Sequence, residues 1–182
     1  MKATYGHGTH NDFVLVFDPE NEISITTKET AAICNRQTGI GADGLILLRS
    51  HPTADFEMIY FNADGRLGSL CGNGGRCITA FAAEIGIIQK KTRFMAFDGI
   101  HHAEVEDKES DIAHFHIKLK MNDVHASHPS NGKCFIDTGS PHLVLTKESM
   151  DTLDVFREGR SIRYSAPYLE EGTNVDFICK NE

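Results

Sequence analysis

Apolar and polar positions change their period several times along the chain, and each change marks an element. From Lys2 to Phe17 two apolar stretches flank Gly6-His7-Gly8-Thr9-His10-Asn11-Asp12, which predicts two strands joined in a hairpin with a polar tip. Thr27 followed by Glu29-Thr30-Ala31-Ala32-Ile33-Cys34 predicts a capped helix that stops before Gly39, and Leu45-Ile46-Leu47-Leu48 predicts a strand. Phe56 to Phe61 reads as a further strand that runs into Asn62-Ala63-Asp64-Gly65, residues that tolerate a tight turn. Ile78-Thr79-Ala80-Phe81-Ala82-Ala83-Glu84-Ile85 is apolar almost all round at helical length. It predicts a helix buried on most sides, with the glycines of Cys71-Gly72-Asn73-Gly74-Gly75-Arg76-Cys77 at its N-terminus.

Three strand-like runs follow between Arg93 and Lys120. In the clearest, Ala113, Phe115, Ile117 and Leu119 alternate with His114, His116, Lys118 and Lys120, one face for a core and one for solvent. The stretch 122–132, with His, Ser, Pro and Gly, predicts a linker between a first domain over 1–121 and a second over 133–182. Beyond it, Phe135-Ile136-Asp137, Leu143-Val144-Leu145 and Asn174-Val175-Asp176-Phe177-Ile178 predict strands, with a helix near Glu148 to Phe156. That is thin material for an independent core, so the second domain reads as incomplete.

A chain of 182 residues, 40% hydrophobic and 24% charged, has the make-up of an ordinary soluble globular protein. The net charge of −8 disfavours nonspecific binding to nucleic acid or anionic lipid, both of which need a concentrated positive field. A small-molecule partner is the expectation. No apolar run is long enough to span a bilayer, and Met1-Lys2-Ala3-Thr4 lacks the apolar stretch of a secretion signal, so a cytoplasmic protein is expected. The five cysteines are an odd number without framework spacing and contain no CxxC pair, which argues against a disulfide scaffold and a structural zinc site.

Gly39-Ile40-Gly41-Ala42-Asp43-Gly44 matches the dinucleotide-binding G-x-G-x-x-G pattern, but that pattern works only between a preceding strand and a following helix. Here a predicted helix precedes and a predicted strand follows, so a structural glycine turn is the better reading. His114 and His116 share a strand face with Lys118 and Lys120, whose charge would oppose a metal cation, so they read as solvated positions. Cys71 is different. Backbone N–H groups at a helix start bind carboxylates and favour the thiolate of a cysteine placed there. An isolated Cys-Gly pair would read as a buried helix cysteine; the dense glycine pattern here points to chemistry. Cys77, in the apolar helix, reads as a core residue, and so do Cys34, Cys134 and Cys179.

Six ordered pieces carry a resemblance: Gly8-Thr9-His10-Asn11-Asp12-Phe13, Arg36-Gln37-Thr38-Gly39-Ile40-Gly41-Ala42-Asp43-Gly44, Phe61-Asn62-Ala63-Asp64-Gly65, Cys71-Gly72-Asn73-Gly74-Gly75-Arg76-Cys77, Gly139-Ser140-Pro141-His142 and Gly172-Thr173-Asn174-Val175. With them the chain resembles the diaminopimelate epimerase family from Met1 to Glu182. The resemblance implies an α/β fold of two pseudo-symmetric domains, each a curled, mainly antiparallel sheet around a central helix. Here the first domain is expected to be complete and the second incomplete. It also implies interconversion of LL- and meso-diaminopimelate, a step toward lysine and cell-wall precursors, without metal or pyridoxal cofactor. A homodimer is compatible with the sequence.

Epimerisation at an α-carbon requires proton removal on one face and delivery on the other, which a thiolate and a thiol facing each other can do in both directions. By resemblance Cys71 is one acid/base, His142 a residue that tunes the thiols, and Asn11, Asn62, Gly72, Asn73, Asn174 and Ser140 contact substrate. Gly44 stands where some members carry glutamine and is given no side-chain role. The family's Glu-Arg-Gly segment and second Cys-Gly-Thr-Gly motif do not occur in these residues. The expectation is therefore a C-terminally truncated epimerase inactive by itself. The alternatives are a noncatalytic binding remnant, or a related racemase or phenazine-pathway isomerase. The Asn-Asp-Phe and Gly-Ile-Gly-Ala-Asp-Gly pieces argue against such a relative.

Overall fold

The computed structural model describes residues 2–109, 114–124 and 132–180. Its contacts divide the chain into two units, Met1–Met121 and Asn122–Glu182. Ala113 and most of the expected linker lie outside the described residues.

The first unit is one seven-stranded sheet in sequence order. Its strands are β1 (Lys2–Gly8), β2 (Asn11–Asp18), β3 (Gly44–Arg49), β4 (Phe56–Asn62), β5 (Lys91–Ala96), β6 (Gly99–Glu109) and β7 (His114–Lys120). The β2/β3 and β4/β5 pairs are parallel and the other neighbours antiparallel. Helix α2 (Gly72–Glu84) packs on β2, β3, β4 and β6 and also on both edge strands, β1 and β7. A single helix can touch both edges only if the sheet curls around it. The all-round apolar pattern predicts this buried helix, and its central place is the one the family resemblance implies.

Two apolar layers explain why β2 and β3 read as continuous hydrophobic runs rather than alternating ones. Phe13, Leu15, Ile46 and Leu48 face α2, where Ile78, Phe81 and Ala82 meet them together with Phe56, Met58 and Phe94. Val14, Val16, Leu45 and Leu47 face the opposite way, onto Cys34 and Ala42. Strand β7 alternates as expected, with Phe115, Ile117 and Leu119 turned inward and His114, His116, Lys118 and Lys120 outward.

Helix α1 (Thr27–Cys34) starts one residue earlier than its pattern suggests, because Thr26 is the cap. Its hydroxyl accepts from the Glu29 N–H at 3.2 Å while the Glu29 carboxylate accepts from the Thr26 N–H at 2.9 Å, a reciprocal capping box. The order α1, glycine turn, β3 is the reverse of a dinucleotide-binding unit.

The second unit holds a three-stranded sheet, with β9 (Pro141–Thr146) between β8 (Lys133–Asp137) and β10 (Asn174–Ile178). Helix α3 spans Val155–Arg163, later than the stretch Glu148 to Phe156 that the sequence suggests. The displacement has a local cause. Ser149 and Asp151 hydrogen-bond each other outside any helix, at 3.0 and 3.1 Å, and Asp154 supplies the cap by accepting from the Arg157 N–H at 3.0 Å. Cys134 and Cys179 are half-buried rather than core residues, since Cys134 lies in this small sheet and Cys179 just past its last strand; Cys34 and Cys77 are buried as expected.

Candidate active site

Cys71 is the N-cap of α2. It has an extended backbone, and its sulfur accepts from the Gly74 N–H at 3.5 Å. The glycines that follow serve close packing. A Cβ at Gly75 would stand 2.8 Å from Leu119 Cδ2, and one at Gly74 would stand 3.1 Å from Ile46 Cδ1. Small residues therefore let the helix start sit deep in the curled sheet while Cys71 itself stays half-exposed.

The tip of the β1–β2 hairpin meets that helix start. Gly8 and Asn11 pair across a two-residue loop, and both loop residues take positive φ, Thr9 at 53° and His10 at 63°. Such a turn matches the twist of paired strands but strains a β-branched residue. Thr9 is held there by its hydroxyl, which donates to Gly8 O at 2.7 Å and to Asn73 Oδ1 at 3.1 Å. The turn delivers Asn11 to the thiol. Cys71 Sγ donates to Asn11 Oδ1 at 3.4 Å, and Asn73 Nδ2 donates to the same oxygen at 3.3 Å. Arg76 also donates to Asn73 Oδ1.

Behind Asn11 lies an ionic cluster to which sequence reasoning gave no role. Asn11 Nδ2 donates to Asp43 Oδ2 at 2.9 Å. The guanidinium of Arg36 spans both acids, donating to Asp12 at 2.7 and 2.9 Å and to Asp43 Oδ1 at 2.8 Å. Tyr5 donates its hydroxyl to Asp12. Arg36 holds the Asp12 carboxyl well below the usual carboxylate range despite its burial, and the two acids push the Arg36 guanidinium above its ordinary value. A visible signal was an acid, Asp12, directly before the apolar run Phe13–Phe17, where an unpaired charge would be costly.

Asn62 ends β4, where Tyr60 donates its hydroxyl to Asn62 Oδ1 at 2.9 Å. Burial, then the neighbouring Cys71 and Asp43, push the Tyr60 phenol up, so Tyr60 remains a donor. Gly65 closes the turn after Asn62 with φ 84°, and a Cβ there would lie 2.0 Å from Thr27 O. Only glycine fits. Burial raises Cys77 to about 11 and also raises Cys34, so both buried thiols hold their protons at neutral pH.

The structure thus joins Cys71, Asn11 and Asn73 directly, with Gly72 in the same helix turn. His142, Ser140 and Asn174 belong to the second unit. There His142 Nδ1 is 2.8 Å from Asp176 Oδ2, and Asn174 lies opposite His142 in the parallel β9/β10 register and donates to Pro141 O at 3.2 Å. Ser140 immediately precedes β9. Asp176, the partner of His142, was also missed, although an acid inside an apolar strand marked it.

Solved structures with related architecture support the fold. A predicted epimerase from Pseudomonas aeruginosa matches with a TM-score of 0.57 at 11% identity, over 92% of this chain and 64% of that one. A hydroxyproline epimerase from Agrobacterium vitis matches with a TM-score of 0.55 at 14% identity, over 79% of this chain and 51% of that one. Sequence relatives are far nearer. A Flavobacterium psychrophilum protein named diaminopimelate epimerase is 42% identical over 98% of this chain and 68% of its own length. Its namesake from Chlorobaculum tepidum is 43% identical over 94% of this chain and 67% of its own length. The chain thus spans about two thirds of the length of these relatives. The family model described as diaminopimelate epimerase matches residues 3–125, the stretch that holds the Cys71 helix start, the Asn11 hairpin and the ionic cluster behind them. On that match and those identities, the chain belongs to the diaminopimelate epimerase family.

Proposed function

We propose that the chain is the Cys71-bearing part of an enzyme that interconverts LL- and meso-diaminopimelate, with Cys71 as the acid/base on one face of the substrate α-carbon. The observation that carries this reading is the pairing of a half-exposed thiol with the N-terminal N–H groups of α2. A helix start binds the α-carboxylate of an amino acid and stabilises the negative charge that grows on it as the α-proton leaves. The same turn therefore places the proton-transfer group beside the anion site.

In this reading Gly72 and Asn73 contact the carboxylate end of the substrate, while Asn11 and Asn62 present amide groups at the rim. Asn174, Ser140 and His142 belong to the second unit, where His142 is paired to Asp176; the roles that the family resemblance implies for them are substrate contact for Asn174 and Ser140 and thiol tuning for His142. The opposite face of the α-carbon needs a second acid/base. These 182 residues contain one Cys-Gly pair and no Cys-Gly-Thr-Gly motif. No metal or pyridoxal group is required, since the developing charge rests on the carboxylate and its donors. The family match and the identities to named epimerases favour this reading over a related isomerase or a binding remnant.

Substrate protection tests the assignment. Saturating diaminopimelate should slow alkylation of Cys71 by iodoacetamide and leave Cys134 and Cys179 unaffected. Equal labelling of Cys71 with and without diaminopimelate would remove the ground for placing the substrate there.

A further inference from the structure

Three neighbouring side chains at the site, Asn11, Asn73 and Cys71, can each donate or accept, so their hydrogen-bond directions are not fixed by their own chemistry. The groups at the two ends of the chain they form are fixed. Asp43, ionised, can only accept, and Arg76 can only donate. Asp43 Oδ2 takes the Asn11 amide N–H at 2.9 Å, which turns Asn11 Oδ1 toward α2. Arg76 donates to Asn73 Oδ1, which turns Asn73 Nδ2 toward Asn11. The directions agree. Both anchors demand that Asn11 show its oxygen, not its N–H, to the sulfur of Cys71 at 3.4 Å. Arg36 braces the first anchor by donating to the other oxygen of Asp43 at 2.8 Å.

We infer that Asp43 is a positioning residue for proton transfer. Through Asn11 it holds a hydrogen-bond acceptor against Cys71, so that the resting group is a thiol whose S–H donates to the amide oxygen. This rests on the reading of Cys71 as acid/base and adds its resting form: Cys71 waits as the acid, and becomes the base only after giving up its proton. The sulfur still accepts from Gly74 N–H, so the thiolate formed on proton donation meets a ready donor.

Replacing Asp43 by asparagine removes one of the two anchors. Arg36 would claim the new amide oxygen, leaving an NH2 group facing Asn11 Nδ2, which drives Asn11 to turn its own N–H toward the sulfur against the remaining pull of Asn73. A donor at the sulfur favours thiolate, so the pH at which Cys71 reaches half its maximal alkylation rate should fall. Loss of the Asp43 charge acts in the same direction, and a double-mutant cycle separates the two effects. Ionisable groups around Cys71 include Tyr60 of β4 and Cys77 and Arg76 of α2, and every variant leaves them in place.

The measurement is the pH profile of Cys71 alkylation by iodoacetamide in the 182-residue chain and in Asp43→Asn, Asn11→Ala and the double variant, with melting temperature checked in each. The expected result is a midpoint lowered by about half a unit to one unit in Asp43→Asn, with most of that shift gone in the Asn11→Ala background. An equal shift in both backgrounds, or none, would overturn the positioning role and leave Cys71 as acid/base intact. Should Asp43→Asn not fold, Asn11→Ala decides by sign. Removing an acceptor from the thiol lowers the midpoint, whereas a rise would mean that the amide had shown its N–H to the sulfur. If Cys71 in the unsubstituted chain labels after Cys77, the acid/base reading itself fails, and this inference with it.

Discussion

Cys71 and Asn11 stand sixty positions apart in the chain, yet the thiol of one donates to the amide oxygen of the other at 3.4 Å. That contact joins the start of the central helix to the tip of the first hairpin. It places the Cys71 thiol where backbone N–H donors, an oriented amide and a braced ionic cluster meet.

The first consequence concerns the relative reactivity of the thiols. Cys71 is half-exposed at a helix start, whereas burial pushes Cys77 up to about 11 and Cys34 upward as well. Peptide mapping of a limited iodoacetamide reaction at neutral pH should find Cys71 labelled well before either buried thiol. Earlier labelling of Cys77 or Cys34 would contradict the helix-start assignment.

Acid stability follows from the ionic cluster. The Asp12 carboxyl is depressed chiefly by Arg36, so its contribution is present above the unfolded value of about 3.9 and is lost as pH falls through the lower folded value. In Arg36→Ala the depression weakens while burial, which acts the other way, remains. The acid-unfolding midpoint followed by circular dichroism should therefore move to higher pH than in the unsubstituted protein. A midpoint that stays put would show that Asp12 gains little from its partner.

Gly65 gives a stability prediction with a steric origin. An added Cβ would collide with Thr27 O at 2.0 Å in a backbone conformation of positive φ. Gly65→Ala should destabilise by more than about 1 kcal/mol in urea unfolding, since both the conformation and the space exclude a side chain. It should also disturb Asn62, whose backbone N–H donates to Arg66 O at 2.9 Å across the same turn. Unchanged stability would mean that the turn can re-form elsewhere.

Much of the first unit was legible in the sequence because its elements carry strong periodic signals. The all-round apolar stretch of α2, the alternation of β7 and the doubly buried run of β3 each have one good structural solution. The residues that brace the site were not legible. Asp43 and Arg36 sit in a glycine turn whose pattern suggests only a loop, and nothing local shows that the turn returns to Asn11. Their meaning depends on β2 and β3 lying side by side in parallel, with Phe13 opposite Gly44, a pairing that no short-range pattern encodes. The late start of α3 was hidden for a related reason: Ser149, Asp151 and Asp154 can each end or begin a helix, and only their hydrogen bonds decide which.

The central claim is that Cys71 moves the α-proton on one face of diaminopimelate, and one incubation tests it. The 182-residue chain, shown by intact mass to be free of longer protein, is held with saturating meso-diaminopimelate in deuterium oxide. Deuterium at the α-carbon is followed by mass spectrometry and the LL form by chiral chromatography. With one proton-transfer group, acting as base in the molecules whose Cys71 has lost its proton to solvent, the account predicts α-deuterium incorporated with retained configuration, little or no LL form, and loss of exchange in Cys71→Ala. The loss should be on the scale of roughly 10²–10⁴-fold that a positioned acid/base contributes. LL form accumulating at the rate of a complete epimerase, or exchange that survives Cys71→Ala, would contradict it.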